Sequence, residues 1–173
     1  MGRLPVMERP APDEVDRLVE AWQRERPDLD VAPMQVLSRV TRLARHLDLA
    51  RRRAFAEHGL ETWEFDVLSA LRRSGAPDGL SPGRLIRETM VTSGTMTNRV
   101  DRLSGKALVE RLPDPADRRG VLVRLTPEGR RRVDAALAGL LAQERLLLAT
   151  LSHTDQAALA DLLRNVVGPF DAR

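Results

Sequence analysis

Cysteine is absent from the 173 residues of this chain, and so is tyrosine. The lack of cysteine excludes disulfides, thiolate metal sites and thiol-based redox sensing. Aromatic residues make up only 3% of the chain, so Leu, Val, Ala and Met supply most of the apolar content. A core of that composition suits packed helices better than a β-sandwich.

Long apolar runs are also missing. No segment approaches the ~20 apolar residues that a membrane-spanning helix needs. The first residues, MGRLPVMERPAP, lack the apolar core of a secretory signal. We therefore expect a soluble, cytoplasmic protein with no membrane partner.

The residue patterns of an enzyme site are missing too. The three histidines, His46, His58 and His153, lie on separate segments without the close spacing of metal ligands. The sequence has no Gly-rich phosphate loop, nucleophile elbow or Cys–His pair. We expect no catalysis, no cofactor and no metal site.

Positive charge is concentrated in one part of the chain. The formal net charge is only +3, which by itself says little about a nucleic-acid partner. Residues 95–132, however, hold ten cationic side chains against five acidic ones, a local net charge of +5. This distribution favours a polyanionic partner for the middle of the chain.

Capping residues mark the starts of two helices. Ser81-Pro82 and Thr126-Pro127 each combine an N-cap hydroxyl with a proline at the first helical position. The first pair predicts a short helix to about Glu88. The second predicts a long helix to about Thr150.

Two more helices follow from similar signals. Thr62 precedes an apolar run that predicts a helix ending near Gly75. Ser152, with Asp155 three residues later, predicts the start of a final helix. We expect Gly168-Pro169 to stop that helix, because proline removes a backbone donor.

The N-terminal part predicts two amphipathic helices. One ends at Pro27 and carries an apolar stripe formed by Val15, Leu18, Val19 and Trp22. The other is nearly thirty residues long, with apolar residues at three- and four-residue steps, namely Met34, Leu37, Val40, Leu43, Leu47 and Ala54. The long C-terminal helix carries a similar excess, clearest at Leu137, Leu140, Leu141, Leu147 and Leu148. Such stripes need a partner, so we expect a homodimer built from both ends of the chain.

The spacing of apolar residues changes from helix-like to strand-like within the stretch from Thr92 to Thr126. Met96, Val100 and Leu103 share one face of a helix, and two short strand-like runs follow, LVERL and VLVRL. A polar turn rich in Pro, Asp and Arg separates the two runs. The fold class is therefore predicted as mainly α with a small β-hairpin wing, which is a winged helix-turn-helix with long terminal dimerisation helices.

The opposite face of the same helix is polar. With the apolar residues inward, hydroxyl, amide and guanidinium groups point outward, from Ser93, Thr95, Thr97, Asn98 and Arg102. Such groups suit hydrogen bonds to base edges and phosphates in the major groove. The alternative is that they merely solvate a surface helix. The arginine-bearing hairpin that follows favours DNA over that alternative, and over a helical protein that dimerises without binding DNA.

The order and length of the predicted helices and hairpin, together with several motifs, resemble the MarR family of bacterial transcription regulators. The resemblance covers about residues 31–167 and rests on EFDVLSAL, SGTMTNRVDRL, LVER and DPADRRGVLVRLTPEG. It implies a homodimer on a palindromic double-stranded DNA operator. It also implies that Asp117 orients a neighbouring arginine, that Arg119 enters the minor groove and that Arg118 contacts phosphate. One departure is Ala107, where the family usually has glycine, and we expect the helix end near Lys106 to turn differently.

The resemblance implies three regions. Residues 1–58 hold an extra N-terminal helix and a long dimerisation helix. Residues 59–126 form the winged helix-turn-helix, and residues 127–173 form C-terminal dimerisation helices. The three regions make one intertwined domain.

A narrower resemblance concerns the family members that respond to urate and related small anions. In that subgroup a Trp on the added helix, an Asp in the EFDVL-like helix and two Arg bind the ligand, and the matching residues here are Trp22, Asp66, Arg99 and Arg111. Two guanidiniums can hold a planar anion and an indole can stack on its ring. Each residue also has a plainer role open to it, in the core, at the surface or, for Arg99, on DNA.

These observations predict a repressor that a small anionic ligand such as urate releases from its operator. Two alternatives stay open. One is a regulator of the same family that responds to a different small aromatic or carboxylate ligand. The other is a dimeric DNA-binding protein with no ligand.

Overall fold

The computed structural model describes residues 11–171, without the side chains of residues 118 and 171. The expectation about residues 1–10 as a non-secretory N-terminus lies outside that range, and the contact predicted for the Arg118 side chain is likewise not described. The described residues fall into two compact units that divide between Asp48 and Leu49. The three-region division stays a prediction.

Seven helices and one hairpin occur in the described residues, which confirms the predicted fold class. The helices are α1 (Glu14–Glu25), α2 (Ala32–Ala56), α3 (Thr62–Arg73), α4 (Pro82–Thr89), α5 (Ser93–Gly105), α6 (Pro127–Leu148) and α7 (His153–Asp171). The antiparallel strands are β1 (Val109–Asp114) and β2 (Asp117–Leu125), paired from Val109 with Leu125 to Asp114 with Asp117. An isolated bridge also joins Leu80 to Val123.

In the N-terminal unit, α1 packs through a small apolar cluster. Val15 and Val19 are buried against Val31 and Met34. Asp13 caps α1 by accepting from the N–H groups of residues 15 and 16. Arg39 donates to the Asp13 carboxylate at 2.9 Å, which lowers the pKa of Asp13 below its ordinary value.

The C-terminal unit has one continuous core. Phe55 and Phe65 stack with their ring centroids 4.0 Å apart. Around them α3, α4, α5, the hairpin and α6 bury mainly aliphatic side chains, including Leu68, Leu71, Leu85, Met96, Leu103, Val123 and Val133. The core therefore consists mainly of Leu, Val and Met side chains, as the scarcity of aromatic residues predicts.

The predicted helix starts at positions 82 and 127 are confirmed. Ser81 Oγ accepts from the N–H of Arg84 at 3.4 Å, and Thr126 Oγ1 accepts from the N–H of Gly129 at 3.0 Å. For α3 the N-cap is Glu61 and Thr62 is the first helical residue.

The predicted stop at Gly168-Pro169 is wrong. Helix α7 continues to Asp171 and contains Pro169 in its last turn. The proline costs little there, because it removes a single N–H near a helix end whose last carbonyls lack intrahelical partners in any case.

The end of α5 turns at the residue where the family pattern has glycine. Ala107 adopts φ +54°, the left-handed region that glycine occupies more readily. The Lys106 N–H still donates to the Arg102 carbonyl at 3.1 Å. Ala107 therefore adopts the left-handed conformation itself, without a glycine at this position.

Helices α6 and α7 leave apolar side chains exposed. They are Leu137, Leu141, Leu146, Leu147, Leu162, Leu163, Val166, Val167 and Phe170. Among the described residues, no single helix is long and apolar enough to cross a membrane. Only α6 and α7 taken together meet that condition, across a bend of 103°.

Candidate nucleic-acid interface

Helix α5 is oriented by its apolar face. Met96 and Leu103 are fully buried and Val100 nearly so, against α4 and β1. The other face carries Ser93, Thr95, Thr97 and Asn98, all exposed as predicted. These four polar residues, which are predicted to contact DNA, are therefore all open to solvent.

Local hydrogen bonds order the start of this surface. The hydroxyls of Thr92 and Thr95 lie 2.9 Å apart, and the Thr95 N–H donates to Thr92 Oγ1 at 3.4 Å. The Thr97 hydroxyl donates to the Ser93 carbonyl at 3.1 Å. These bonds hold the hydroxyl oxygens in place as acceptors. The N-terminal end of α5 adds a partial positive charge.

A shallow groove of about 450 Å³ runs along the exposed side of α5. Its lining combines α5 residues with one residue of α3, namely Gly94, Thr95, Asn98, Arg99, Arg102 and Trp63. The guanidinium carbon of Arg102 lies 4.7 Å from the Trp63 ring centroid, and that of Arg99 lies 5.6 Å from it. Both arginines therefore rest on one indole.

The hairpin turn is built by two aspartates. Asp114 Oδ1 accepts from the N–H of Ala116, and Asp117 Oδ1 accepts from the N–H of Arg119, each at 2.9 Å. Asp117 thus fixes the backbone of the neighbouring arginine, and the Arg119 side chain is exposed at the tip. Gly120 allows the close turn, because a Cβ there would lie 2.9 Å from the Cβ of Asp114.

Ion pairs on α5, in the hairpin and at the start of α6 neutralise part of the local positive charge. Arg111 Nη2 lies 2.6 Å from Asp101 Oδ1, which joins β1 to α5. Arg124 Nη2 lies 3.0 Å from Glu110 Oε1, which joins β2 to β1. At the start of α6, Arg131 and Arg132 both donate to Glu128 and lower the pKa of Glu128 to about 2. Among the described side chains of residues 95–132, Arg99, Arg119 and Arg130 lie in no ion pair, and Arg102 is paired with the exposed Glu61.

Comparison with known proteins gives the family. The MarR family model matches residues 58–120. The transcriptional regulator PecS of Dickeya dadantii is 37% identical over 153 residues, which are 88% of this chain and 92% of PecS. This chain belongs to the MarR family. The transcriptional repressor NicR of Pseudomonas putida is 32% identical over 144 residues, 80% of this chain and 89% of NicR.

The solved structures agree with this MarR-family assignment. Wild-type MarR of Escherichia coli without ligand superposes with a TM-score of 0.58 at 30% identity. The superposition covers 73% of this chain and 96% of MarR. The chain is therefore a DNA-binding transcriptional regulator with a winged helix-turn-helix, and the relatives named here are regulators rather than enzymes. Among the side chains that the structure describes, no three histidine or carboxylate groups are placed to hold a metal ion.

Three of the four residues predicted to bind a small anion have other partners in this MarR-family chain. Asp66 forms an ion pair with Arg51 at 3.6 Å. Arg99 rests on Trp63, and Arg111 is paired with Asp101. Trp22 lies on α1 in the N-terminal unit, with 44% of its surface exposed, so it is not a core residue of that unit. Their role toward a ligand stays a prediction.

Sequence reasoning missed two side chains that position α5 in this MarR-family regulator. Glu64 is fully buried, and the Lys106 ammonium lies 2.6 Å from its Oε1. Glu64 Oε2 accepts the N–H of Glu61 at 2.9 Å, so one carboxylate joins the start of α3 to the end of α5. The available signal was that Lys106 is the single lysine of the chain.

Proposed function

We propose that this MarR-family regulator represses transcription by binding a palindromic operator, with α5 in the major groove and the hairpin tip in the minor groove. The observation that carries the proposal is the exposed polar face of α5 beside the Asp117–Arg119 tip. Ser93, Thr95, Thr97 and Asn98 supply short hydrogen-bonding groups. Arg102, Arg118 and Arg119 supply charge toward phosphates and the minor groove.

The proposal includes a homodimer. The exposed apolar side chains of α6 and α7 form long stripes that a folded chain rarely leaves uncovered in water. A second copy with the same stripes covers them symmetrically. A two-fold dimer presents two α5 helices, and two such helices read two half-sites related by the same symmetry. This is the physical reason for a palindromic operator.

Substitutions on α5 and at the tip test the DNA contacts. Asn98→Ala should weaken binding to a DNA fragment from upstream of the protein's own gene by about 1–3 kcal/mol, because one base contact is lost. Binding to random DNA should change little. Arg119→Ala should weaken both and reduce the salt slope by about 0.9, the value for one cation. Fluorescence anisotropy at several salt concentrations measures these effects.

A control for this experiment is Arg164→Ala. Arg164 is exposed on α7 and paired with Asp161 on the same helix, so its loss should leave DNA affinity unchanged. Equal affinity of the unmutated protein for the upstream fragment and for random DNA would contradict the proposed function. Unchanged operator affinity in Asn98→Ala would remove that residue from the DNA contacts.

The effector is proposed to be a small planar anion such as urate, bound by Asp66, Arg99 and Arg111, with Trp22 added by the resemblance. The support is chemical and local. Arg111 is half exposed and its carboxylate partner, Asp101, belongs to α5. An anion that competes with Asp101 for Arg111 acts directly on the helix that contacts DNA. By thermodynamic linkage, DNA then weakens the anion to the same extent.

Titration of urate into the operator complex tests the effector. We expect about 5- to 150-fold weaker DNA binding at saturating urate, the usual range for such coupling. Arg99→Ala and Trp22→Phe should reduce this response, with anisotropy again as the measurement. A response to salicylate but not to urate would favour the aromatic carboxylate alternative. A full urate response in both variants would contradict the proposed site.

A further inference from the structure

A carboxylate and an indole hold Arg102 of α5, which is the reading helix of the proposed function. Glu61 Oε1 accepts from Arg102 Nη2 at 3.0 Å, and Glu61 Oε2 accepts from the Trp63 indole N–H at 2.7 Å. The Arg102 guanidinium lies over the Trp63 ring. We call these three residues, Glu61, Trp63 and Arg102, the arginine clasp. It joins the N-terminal end of α3 to α5.

The clasp places a negative charge where DNA binding disfavours it. Trp63 and Arg102 line the groove along the exposed side of α5, beside Thr95 and Asn98. Glu61 is 55% exposed, so its charge is not needed to complete a buried network. An exposed ion pair of this kind contributes only about 0–1 kcal/mol to folding. The contact between Glu61 and Arg102 therefore adds little to the stability of the fold.

The geometry points to a restraint on DNA affinity. We propose that Arg102 exchanges Glu61 for a DNA phosphate on binding, so that Glu61 lowers the affinity and the salt dependence of the regulator. Trp63 keeps the guanidinium plane against its ring during the exchange. The inference rests on the proposed function of α5, and it adds Glu61 and Trp63 as positioning residues outside the reading helix.

Glu61→Gln is the direct test. Glutamine keeps an oxygen that can accept from the Trp63 indole, but it removes the charge that holds Arg102. One additional cation released toward phosphate steepens the slope of log affinity against log salt by about 0.9. Extrapolated from 1 M to 0.1 M salt, that slope corresponds to about 8-fold tighter operator binding. Fluorescence anisotropy with the full-length protein measures both quantities.

A double-mutant cycle separates the exchange from a general charge effect. If Arg102 is the group released, Glu61→Gln should have no effect on affinity or slope in the Arg102→Ala background. An equal gain in both backgrounds would overturn the proposal, because it would show simple removal of a negative charge near DNA. Weaker binding by Glu61→Gln would also overturn it. Asp161→Asn, which neutralises an ion-paired exposed carboxylate on α7, is the matched control and should change neither quantity.

The outcomes distinguish this inference from the proposed function. Suppose that the unmutated protein prefers its operator, that Asn98→Ala weakens operator binding and that Glu61→Gln changes neither affinity nor slope. The proposed exchange at Arg102 is then wrong, and the proposed function stands. If the unmutated protein shows no preference for the operator, the proposed function fails first. Urea unfolding of Glu61→Gln within about 1 kcal/mol of the unmutated protein confirms that the variant folds.

Discussion

Lys106→Met should reduce the free energy of unfolding by about 3 kcal/mol. The substitution removes the ammonium that lies 2.6 Å from the fully buried Glu64 carboxylate. Loss of one partner of a buried pair leaves an uncompensated charge and costs about 3–5 kcal/mol. We take the lower end because Lys106 itself is 41% exposed. Urea unfolding at equal protein concentration measures the loss.

A second substitution shows whether the cost comes from the stranded charge. In Glu64→Gln/Lys106→Met the buried group is neutral, and the amide oxygen of the introduced glutamine can still accept the N–H of Glu61. We expect this double variant to recover most of the lost stability, with a coupling energy of about 2 kcal/mol or more. Arg73→Met breaks an exposed pair with Glu88 and should cost less than about 1 kcal/mol. Equal costs for Lys106→Met and Arg73→Met would contradict the buried-pair interpretation.

This pair joins α3 to α5, the helix that is proposed to contact DNA. Lys106 caps the end of α5, and Glu64 lies in the first turn of α3. We therefore expect a weaker pair to fix less firmly the helix that carries Thr95 and Asn98. The reading surface therefore depends on a contact that lies outside it.

Much of the fold could be predicted because its signals are local. A hydroxyl followed by proline specifies a helix start within two residues, as at Ser81 and Thr126. The face of α5 followed from three apolar residues at helical spacing, and all three are buried. The hairpin was predicted from two short strand-like runs on either side of a polar turn.

The partners of charged side chains could not be predicted in the same way. Within EFDVL, Glu64 and Asp66 lie two residues apart, and only Asp66 was selected from the sequence. The structure buries Glu64 completely and leaves Asp66 43% exposed beside Arg51. Which acid points inward depends on the rotation of α3 against α5, and helical periodicity fixes that rotation only approximately.

Trp63 illustrates the same difficulty. It belongs to the apolar run after Thr62 that predicted α3, and it lies half-buried beneath Arg99 and Arg102. The outward face of α5 predicts a DNA contact for Arg102, and the family resemblance implies a ligand contact for Arg99. Their common support comes from a helix about forty residues away in the chain, and no local pattern records such a contact.

Backbone hydrogen bonds join the hairpin closely to α6 near the end of α5. Thr126 donates its N–H to the Leu108 carbonyl at 3.1 Å and its hydroxyl to the Ala107 carbonyl at 2.8 Å. Leu108 also donates its N–H to the Leu103 carbonyl of α5 at 3.0 Å. One short segment thereby joins α5, β1 and α6. Close approach at this junction requires glycine in the first turn of α6.

Gly129→Ala should therefore destabilise the protein by about 3 kcal/mol. A Cβ at position 129 would lie 1.9 Å from the Leu108 carbonyl oxygen and 2.9 Å from its carbon. These are backbone atoms, so no rotamer change relieves the overlap and the first turn of α6 must move. Forcing extra atoms into a packed site costs about 1–3 kcal/mol, and a rigid backbone neighbour places this site at the upper end. Urea unfolding at equal protein concentration gives the value.

Gly139→Ala in the same helix is the matched control, and the opposite sign is expected. Its Cβ would lie 3.7 Å from His58 Nε2 and 3.9 Å from the Ala54 Cβ, both ordinary contacts. Alanine is favoured over glycine in a helix interior by about 1 kcal/mol, so this variant should be more stable. If both alanines stabilise, α6 does not approach Leu108 as the structure has it. Opposite signs would show that the glycine at 129 is required by the junction that holds α5, rather than by helix α6 itself.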